Sequence, residues 1–227
     1  MQELNRDDCN ICTVEDPVEY NLGGVNQFQV NEKAGFTFAG ALRSLLRQDP
    51  DILMIGEVRD LETARLATQA ALTGHLVLST LHTNDAPSSI TRLYNLGIEP
   101  YLVGATVCGV LAQRLVRKLC QHCKQPYEPS PNEKRQIERL AGGGTVDQLF
   151  KPKGCPRCRN LGYSGRIGIY ELFVPDDQMF DLISNGASLN SLKAMANAQG
   201  MRTLRMDGLE KVKAGITTLE EVHRVTA

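Results

Sequence analysis

The chain has no tryptophan, and aromatic residues make up only 5% of its 227 positions. Without interleaved aromatics there is no platform on which single-stranded nucleic acid could stack. The formal net charge of −1 argues against a globally basic nucleic-acid binder, so no nucleic-acid partner is expected. No run approaches the ~18 apolar residues that a membrane-spanning helix requires. The N-terminal stretch MQELNRDD is polar and acidic, unlike a secretory leader. Cysteines number seven, an odd count that fits poorly with a closed disulfide framework. Apolar residues at 42% and charged residues at 22% are ordinary for a folded protein of one large or two modest domains.

What is present is unevenly distributed. Between Arg114 and Arg166 there are 12 Lys/Arg against 4 Asp/Glu, while the remainder carries 13 against 22. The first half alternates short apolar runs with helical periodicity. Strands are expected at 11–14, 25–30, 52–55 and 76–81. Helices are expected at 36–48 (capped by Thr37), 61–72 (capped by Asp60), 86–96 and 101–119. Residues 1–8 read as a helix tail or loop. Such alternation predicts an α/β fold with a parallel sheet. Past Cys120 the pattern changes to cysteine pairs, proline turns, a polar helix over 133–140 and a Gly142-Gly143-Gly144 loop. A strand over 167–174 follows, then short helices at 178–184, 188–199, 203–214 and 218–225.

The run Ile52-Leu53-Met54-Ile55 leads directly into Gly56-Glu57. An unbroken apolar run this short predicts a buried parallel strand, and ligands of open α/β sheets bind at the C-terminal strand ends. Three polar clusters follow three predicted strands: Glu15-Asp16, Glu57-Val58-Arg59-Asp60, and His82-Thr83-Asn84-Asp85. Their shared edge suits phosphoryl transfer. Carboxylates hold Mg²⁺ or position water, arginines neutralise phosphate oxygens, and His82 orients or senses a terminal phosphate. The alternative for Glu57 is a surface pair with Arg59 or Arg47, and for His75 a structural role.

Cys120-x₂-Cys123 and Cys155-x₂-Cys158 are separated by 31 residues. Two such knuckles predict a tetrahedral, structural Zn²⁺ site. An Fe–S centre or a redox pair are the alternatives at this point. His122, inside the first knuckle, is expected to be exposed rather than ligating. Cys9, Cys12 and Cys108 are set aside, the last two as small core residues.

The segments TVEDPVEY, LRQDPDILMIGEVRDLETA, TGHLVLSTLHTND and GVLAQRLVRKLCQHCK closely resemble the bacterial type II secretion and type IV pilus assembly ATPases, across almost the whole chain. The resemblance implies a RecA-like P-loop NTPase core, with ATP and Mg²⁺ as ligands and Zn²⁺ at the four cysteines. It places Glu15 and Asp16 in an aspartate box, Glu57 as the catalytic acid, and His75 and His82 in a histidine box. Arg43, Arg47, Arg59 and Arg166 match arginines near the nucleotide phosphates or subunit contacts. It implies a homo-hexamer at the cytoplasmic face of the inner membrane, working with platform proteins of a secretion or pilus machine. The tetracysteine motif argues against the retraction ATPases. The family balance leans to type II secretion, with pilus extension as the alternative.

The sequence departs from the family in one respect: it contains no G-x-x-x-x-G-K-[ST]. The core is therefore expected to be incomplete, with the Walker A loop absent, and the chain to be a C-terminal fragment with little activity of its own. The expected partition is an ATPase core over 1–116, a zinc subdomain over 117–165 and a mainly helical region over 166–227. A reading of another class is a zinc-stabilised binding module without enzymatic function, supported by the basic segment around the knuckles.

Overall fold

The computed structural model describes residues 1–140 and 146–226, so the expected triple-glycine loop lies outside the described residues. Two compact units emerge, each assembled from separated parts of the chain. The first comprises Met1–Cys108 and Pro175–Ala194, and the second Gly109–Val174 and Met195–Ala227. The three consecutive blocks expected from the sequence do not coincide with these units, because a strand near residue 170 pairs back onto one near residue 114.

In the first unit, strands β1 (Ile11–Glu15), β2 (Asn26–Gln29), β3 (Ile52–Ile55) and β4 (Leu76–Ser79) form an all-parallel sheet in the order β2-β1-β3-β4. The apolar runs of β1 and β3 become the centre of this sheet. Ile11, Val14, Leu53 and Ile55 are almost wholly buried, each contributing about 1.5–3 kcal/mol. Helix α1 (Phe38–Leu45) packs on β1 through Ala39, Ala41, Leu42 and Leu45. Its expected cap is in place, Thr37 Oγ1 accepting from Gly40 N at 3.2 Å. Asp60 caps α2 (Leu61–Leu72), accepting from Thr63 N at 2.8 Å. Helices α3 (Pro87–Asn95), α4 (Pro100–Thr106) and α6 (Asp177–Ser184) complete the unit. A further helix, α7 (Leu189–Ala198), runs across the boundary between the two sets of residues.

The expected helix over 101–119 is corrected. Only Pro100–Thr106 is helical. The backbone turns extended at Val107, and residues from Val110 form strand β5 (Val110–Leu119). The alternation of exposed Leu111, Gln113, Leu115 and Arg117 with more buried neighbours is a period of two. The adjoining apolar helix had masked it.

In the second unit β5 pairs antiparallel with β8 (Tyr163–Phe173), and β6 (Gln125–Tyr127) with β7 (Leu149–Lys151). Helices α5 (Pro131–Leu140), α8 (Leu204–Lys213) and α9 (Leu219–Thr226) cover these ribbons. Val116, Ile169 and Leu204 form one apolar cluster, and Ile137, Leu149, Leu209 and Val222 belong to another. Gly208 lets α8 and α9 approach closely, since a Cβ there would lie 2.7 Å from Val222 Cγ1.

Glu221 on α9 is wholly buried and ties α9 to β5. Its carboxylate accepts from Arg117 N at 2.9 Å, Arg117 Nη2 at 2.6 Å, Arg224 Nε at 2.9 Å and Arg224 Nη2 at 2.8 Å. Burial alone pushes this carboxyl up, but the bonds from Arg224 and Arg117 outweigh it and hold it down at about 2. A carboxyl depressed on folding stabilises the folded state above its ordinary value of 4.5 and loses that contribution as pH falls towards 2. Allowing for the half-exposed guanidinium groups, the contribution is about 2 kcal/mol. Glu221→Gln should therefore be less stable than the parent at pH 7 by roughly that amount. The difference should shrink between about pH 4.5 and pH 2 in paired unfolding curves. A difference independent of pH would refute this account.

Candidate functional site

The C-terminal edge of the parallel sheet is held together beyond the strands themselves. Gly56 N donates to Val14 O at 2.8 Å, Val58 N donates to Thr80 O at 3.1 Å, and Thr80 Oγ1 donates to Gly56 O at 2.6 Å. These bonds fix the residue after β3. Glu57, whose side chain is 12% exposed, forms an ion pair with Arg59 and lies 3.3 Å from Nε2 of His82. The bond from Arg59 holds the Glu57 carboxyl below the usual range, against the opposing effect of burial, with His82 adding to the lowering. Glu57 is thus ionised and acceptor-only at neutral pH, the state that a general base or metal ligand requires. The surface pairing with Arg59 weighed from sequence is realised in the same geometry that brings His82 to the acid.

Glu15 ends β1 and Asp16 follows it, at the same edge. Glu15 Oε1 accepts from Thr13 Oγ1 at 2.6 Å and from Gln27 Nε2 at 2.9 Å. Asp16 is exposed, and its charge acts on Arg59. Two other acids of the strand-end clusters bond to the first turns of helices. Asp60 caps α2, and Asp85, two residues before α3, accepts from Ser88 N at 3.0 Å while pairing with Lys193 at 2.5 Å.

The remaining expected residues lie elsewhere. His75 stands at the N-terminal end of β4, the opposite edge of the sheet from His82. Its Nδ1 sits 2.9 Å from Ala70 O and 3.1 Å from Thr73 Oγ1, closing the end of α2. The structure does not bring His75 to Glu57. Arg43 on α1 pairs with Glu62 on α2, and Arg47 is exposed just past α1. Arg166 belongs to the second unit, on β8 opposite Arg117. Sequence reasoning passed over Thr13, Gln27 and Thr80. Alternating glutamines at 27 and 29 on a predicted strand were the available signal for the second of these.

Cys120, Cys123, Cys155 and Cys158 converge, all four sulfurs lying within 4.8 Å of one another. Three of the separations are 3.9 Å (Cys120–Cys155), 3.8 Å (Cys123–Cys158) and 3.7 Å (Cys155–Cys158). Tetrahedral Zn–S bonds of about 2.3 Å require sulfur separations near ~3.8 Å, so the four residues fit a zinc ion. The separations are too long for disulfides, and the cysteines are free. Cys155 N and Gly162 N each donate to Cys158 Sγ at 3.2 Å. Burial pushes the Cys158 thiol up, but these backbone bonds prevail and hold it down at about 7. His122 is exposed and lies against Arg157 Nη1, at 3.0 Å from its Nδ1, outside the cluster.

Among the described residues no helix is long and apolar enough to cross a membrane. A family model described as "Type II/IV secretion system protein" matches residues 1–224. The chain is 52% identical to the "Type IV pilus assembly ATPase PilB" of Thermus thermophilus, covering 98% of this chain and 25% of that protein. It is 50% identical to the "Type II secretion system ATPase E" of Vibrio cholerae, covering 100% of this chain and 44% of that protein. The chain thus spans less than half the length of these curated relatives. Among solved structures, the pilus retraction motor PilT with bound ADP superposes with a TM-score of 0.71 at 29% identity, covering 98% of this chain and 54% of that one. The Legionella pneumophila ATPase DotB, at 21% identity and a TM-score of 0.69, shares the fold over 99% of this chain and 54% of that one. The strand-end acids, the four-cysteine cluster and the match over nearly every residue converge on one conclusion: the chain belongs to the type II/IV secretion system protein family, whose relatives are secretion and pilus assembly ATPases.

Proposed function

We propose that this chain is the C-terminal part of a hexameric ATPase that couples ATP hydrolysis to pseudopilus assembly in type II protein secretion, at the cytoplasmic face of the inner membrane and docked on its platform proteins. The observation that carries the reading is the ionised Glu57 at the C-terminal edge of an all-parallel sheet, backed by Arg59 and His82. In this reading Glu57 orients and deprotonates the attacking water. Glu15 and Asp16 hold Mg²⁺ directly or through water, and His82 senses the terminal phosphate. Arg59 neutralises charge developing on the phosphate oxygens, with Arg43, Arg47 and Arg166 serving phosphate or subunit contacts. His75 enters only indirectly, through the end of α2. The four cysteines hold a structural Zn²⁺ that supplies no chemistry to the reaction.

The 227 residues contain no G-x-x-x-x-G-K-[ST]. A nucleotide needs the backbone cradle and lysine of that loop. The isolated chain is therefore expected to bind ATP weakly and to turn it over negligibly, at a rate indistinguishable from its own Glu57→Gln variant. A protein carrying the chain together with such a loop is expected to hydrolyse ATP. Measurable turnover by the isolated chain above that of the variant would overturn the proposed dependence on the loop. Pilus extension is the second reading, because pilus assembly and secretion relatives stand at similar identity to this chain. Deleting the gene should stop secretion of exported proteins. Loss of surface pili with intact secretion would move the assignment to pilus extension.

A further inference from the structure

The acids at the end of β1 lead into a segment that has little backbone support of its own. Between Asp16 and Asn21, among the described residues, no backbone N–H bonds to a backbone carbonyl. The segment is held by side chains of the neighbouring strand. Gln27 lies directly across from Thr13 in the parallel register of β1 and β2, so the two share a face with Glu15 and Gln29. Its amide is used at both ends. Nε2 donates to Glu15 Oε1 at 2.9 Å and to Tyr20 O at 3.0 Å, while Oε1 accepts from Leu22 N at 2.6 Å. Gln29 Oε1 accepts more loosely from Val18 N, at 3.3 Å.

These partners fix which way the amide points. Only an NH₂ group can face both a carboxylate and a carbonyl, and only the oxygen can face the Leu22 N–H. The amide therefore restrains both flanks of the Glu15–Asp16 turn at once, through the Glu15 carboxylate on one side and the Tyr20–Leu22 backbone on the other. Glu15 Oε1 is further restrained by the hydroxyl of the wholly buried Thr13, at 2.6 Å. Both donors converge on Oε1. Among the described residues Glu15 Oε2 takes no protein partner, which leaves one oxygen of an oriented carboxylate for a ligand or water.

We infer that Gln27 is a positioning residue for the reaction: its amide fixes the Glu15–Tyr20 segment and presents Glu15 and Asp16 to the Mg²⁺-bound nucleotide. This rests on the strand-end acids acting as described under Proposed function. Catalytic groups are productive only within tight geometric limits, and a displacement of about 1 Å costs ~10²-fold in rate. Gln27 does not touch the nucleotide in this account, so its removal acts on turnover and on metal use rather than on nucleotide capture.

The test uses the ATPase-competent protein that carries this chain together with a phosphate-binding loop. Gln27→Leu removes all three bonds at similar volume. Gln27→Glu keeps an acceptor for Leu22 N but sets oxygens against Glu15 and the Tyr20 carbonyl. Both variants are expected to lose about tenfold or more in kcat with the KM for ATP within about threefold. The Mg²⁺ concentration for half-maximal rate should rise, and the melting temperature should hold within a few degrees because β2 is an edge strand. Either variant that folds serves as the test. Unchanged kcat and an unchanged Mg²⁺ curve in Gln27→Leu, beside large losses in Glu15→Gln or Asp16→Asn, would overturn the inference alone. Full activity in both acid variants would remove the reading of the strand-end acids, and this inference with it.

Discussion

Glu57→Gln, introduced into a protein that carries this chain together with a phosphate-binding loop, should lower ATP turnover by ~10²–10⁴-fold, the range that a positioned general base contributes. The expectation follows from the ionisation state of the site. Arg59 and His82 keep Glu57 charged at neutral pH, and the neutral amide of glutamine cannot take a proton from water. The substitution should spare the fold. Glu57 lies at the surface end of β3, and its pairs with Arg59 and His82 are partners that are 62% and 88% exposed, worth at most about 1 kcal/mol. Nucleotide affinity should also survive, or rise slightly as a charge facing the phosphates is removed. The informative measurement is single-turnover hydrolysis alongside equilibrium binding of ATP. A rate loss below about tenfold would show that another group activates the water. His82→Ala should cost less than Glu57→Gln, because the 3.3 Å contact adjusts the acid without replacing it.

The second large effect concerns the cysteines. The protein as isolated from metal-replete cells should carry one zinc per chain, and stripping the metal should unfold much of the second unit. Structural zinc contributes about 10–16 kcal/mol of apparent binding free energy, as large as the whole stability of an ordinary domain, about 5–15 kcal/mol. Cys120 directly follows β5, and Cys158 precedes β8 by a few residues, so the metal would clamp the ends of the antiparallel ribbon. It also stands close in sequence to β6 and β7, which bring Leu149 into the α8–α9 core. Cys158→Ser removes a ligand and the acceptor of two backbone N–H bonds, from Cys155 and Gly162. It should therefore be more damaging than His122→Ala, which removes only an exposed contact with Arg157. Metal analysis and near-ultraviolet circular dichroism before and after chelation report the two quantities. A metal-free protein with an intact second unit would remove zinc from the account.

Much of the site was legible because it rests on local pattern. An apolar run ending in Gly56-Glu57 has few ways to fold, and two CxxC pairs have few uses. The caps at Thr37 and Asp60 follow from a short polar side chain preceding a periodic apolar stretch. What escaped was non-local. The resemblance grouped His75 with His82, whereas the strand direction already put His82 alone at the C-terminal edge of the sheet and left His75, on the other side of β4, a structural role. The strand nature of Val110–Leu119 was hidden because its alternation includes leucines on the exposed side, at Leu111 and Leu115. Strands β6 and β7 are three residues each and carry no periodic signal. The contribution of Gln27 depends on which residue of β1 lies beside it, and that register is set by the fold of the whole unit.

The backbone passes between the two sets of residues at Cys108–Gly109, at Val174–Pro175 and within α7 at Ala194–Met195. The cysteine-bearing segment is therefore not an interchangeable cassette. Its ribbon is covered by α8 and α9, which the chain supplies only after returning to the first unit. Recombination among homologous genes that exchanged 109–174 alone would join a ribbon from one ancestor to covering helices from another, and would have to rematch Arg117 with Glu221 and Leu149 with Leu209 and Val222. Inheritance of this unit is accordingly expected to be joint, with the tail and the cysteine segment descending together, while the Gln27 register is free to follow the history of the first unit.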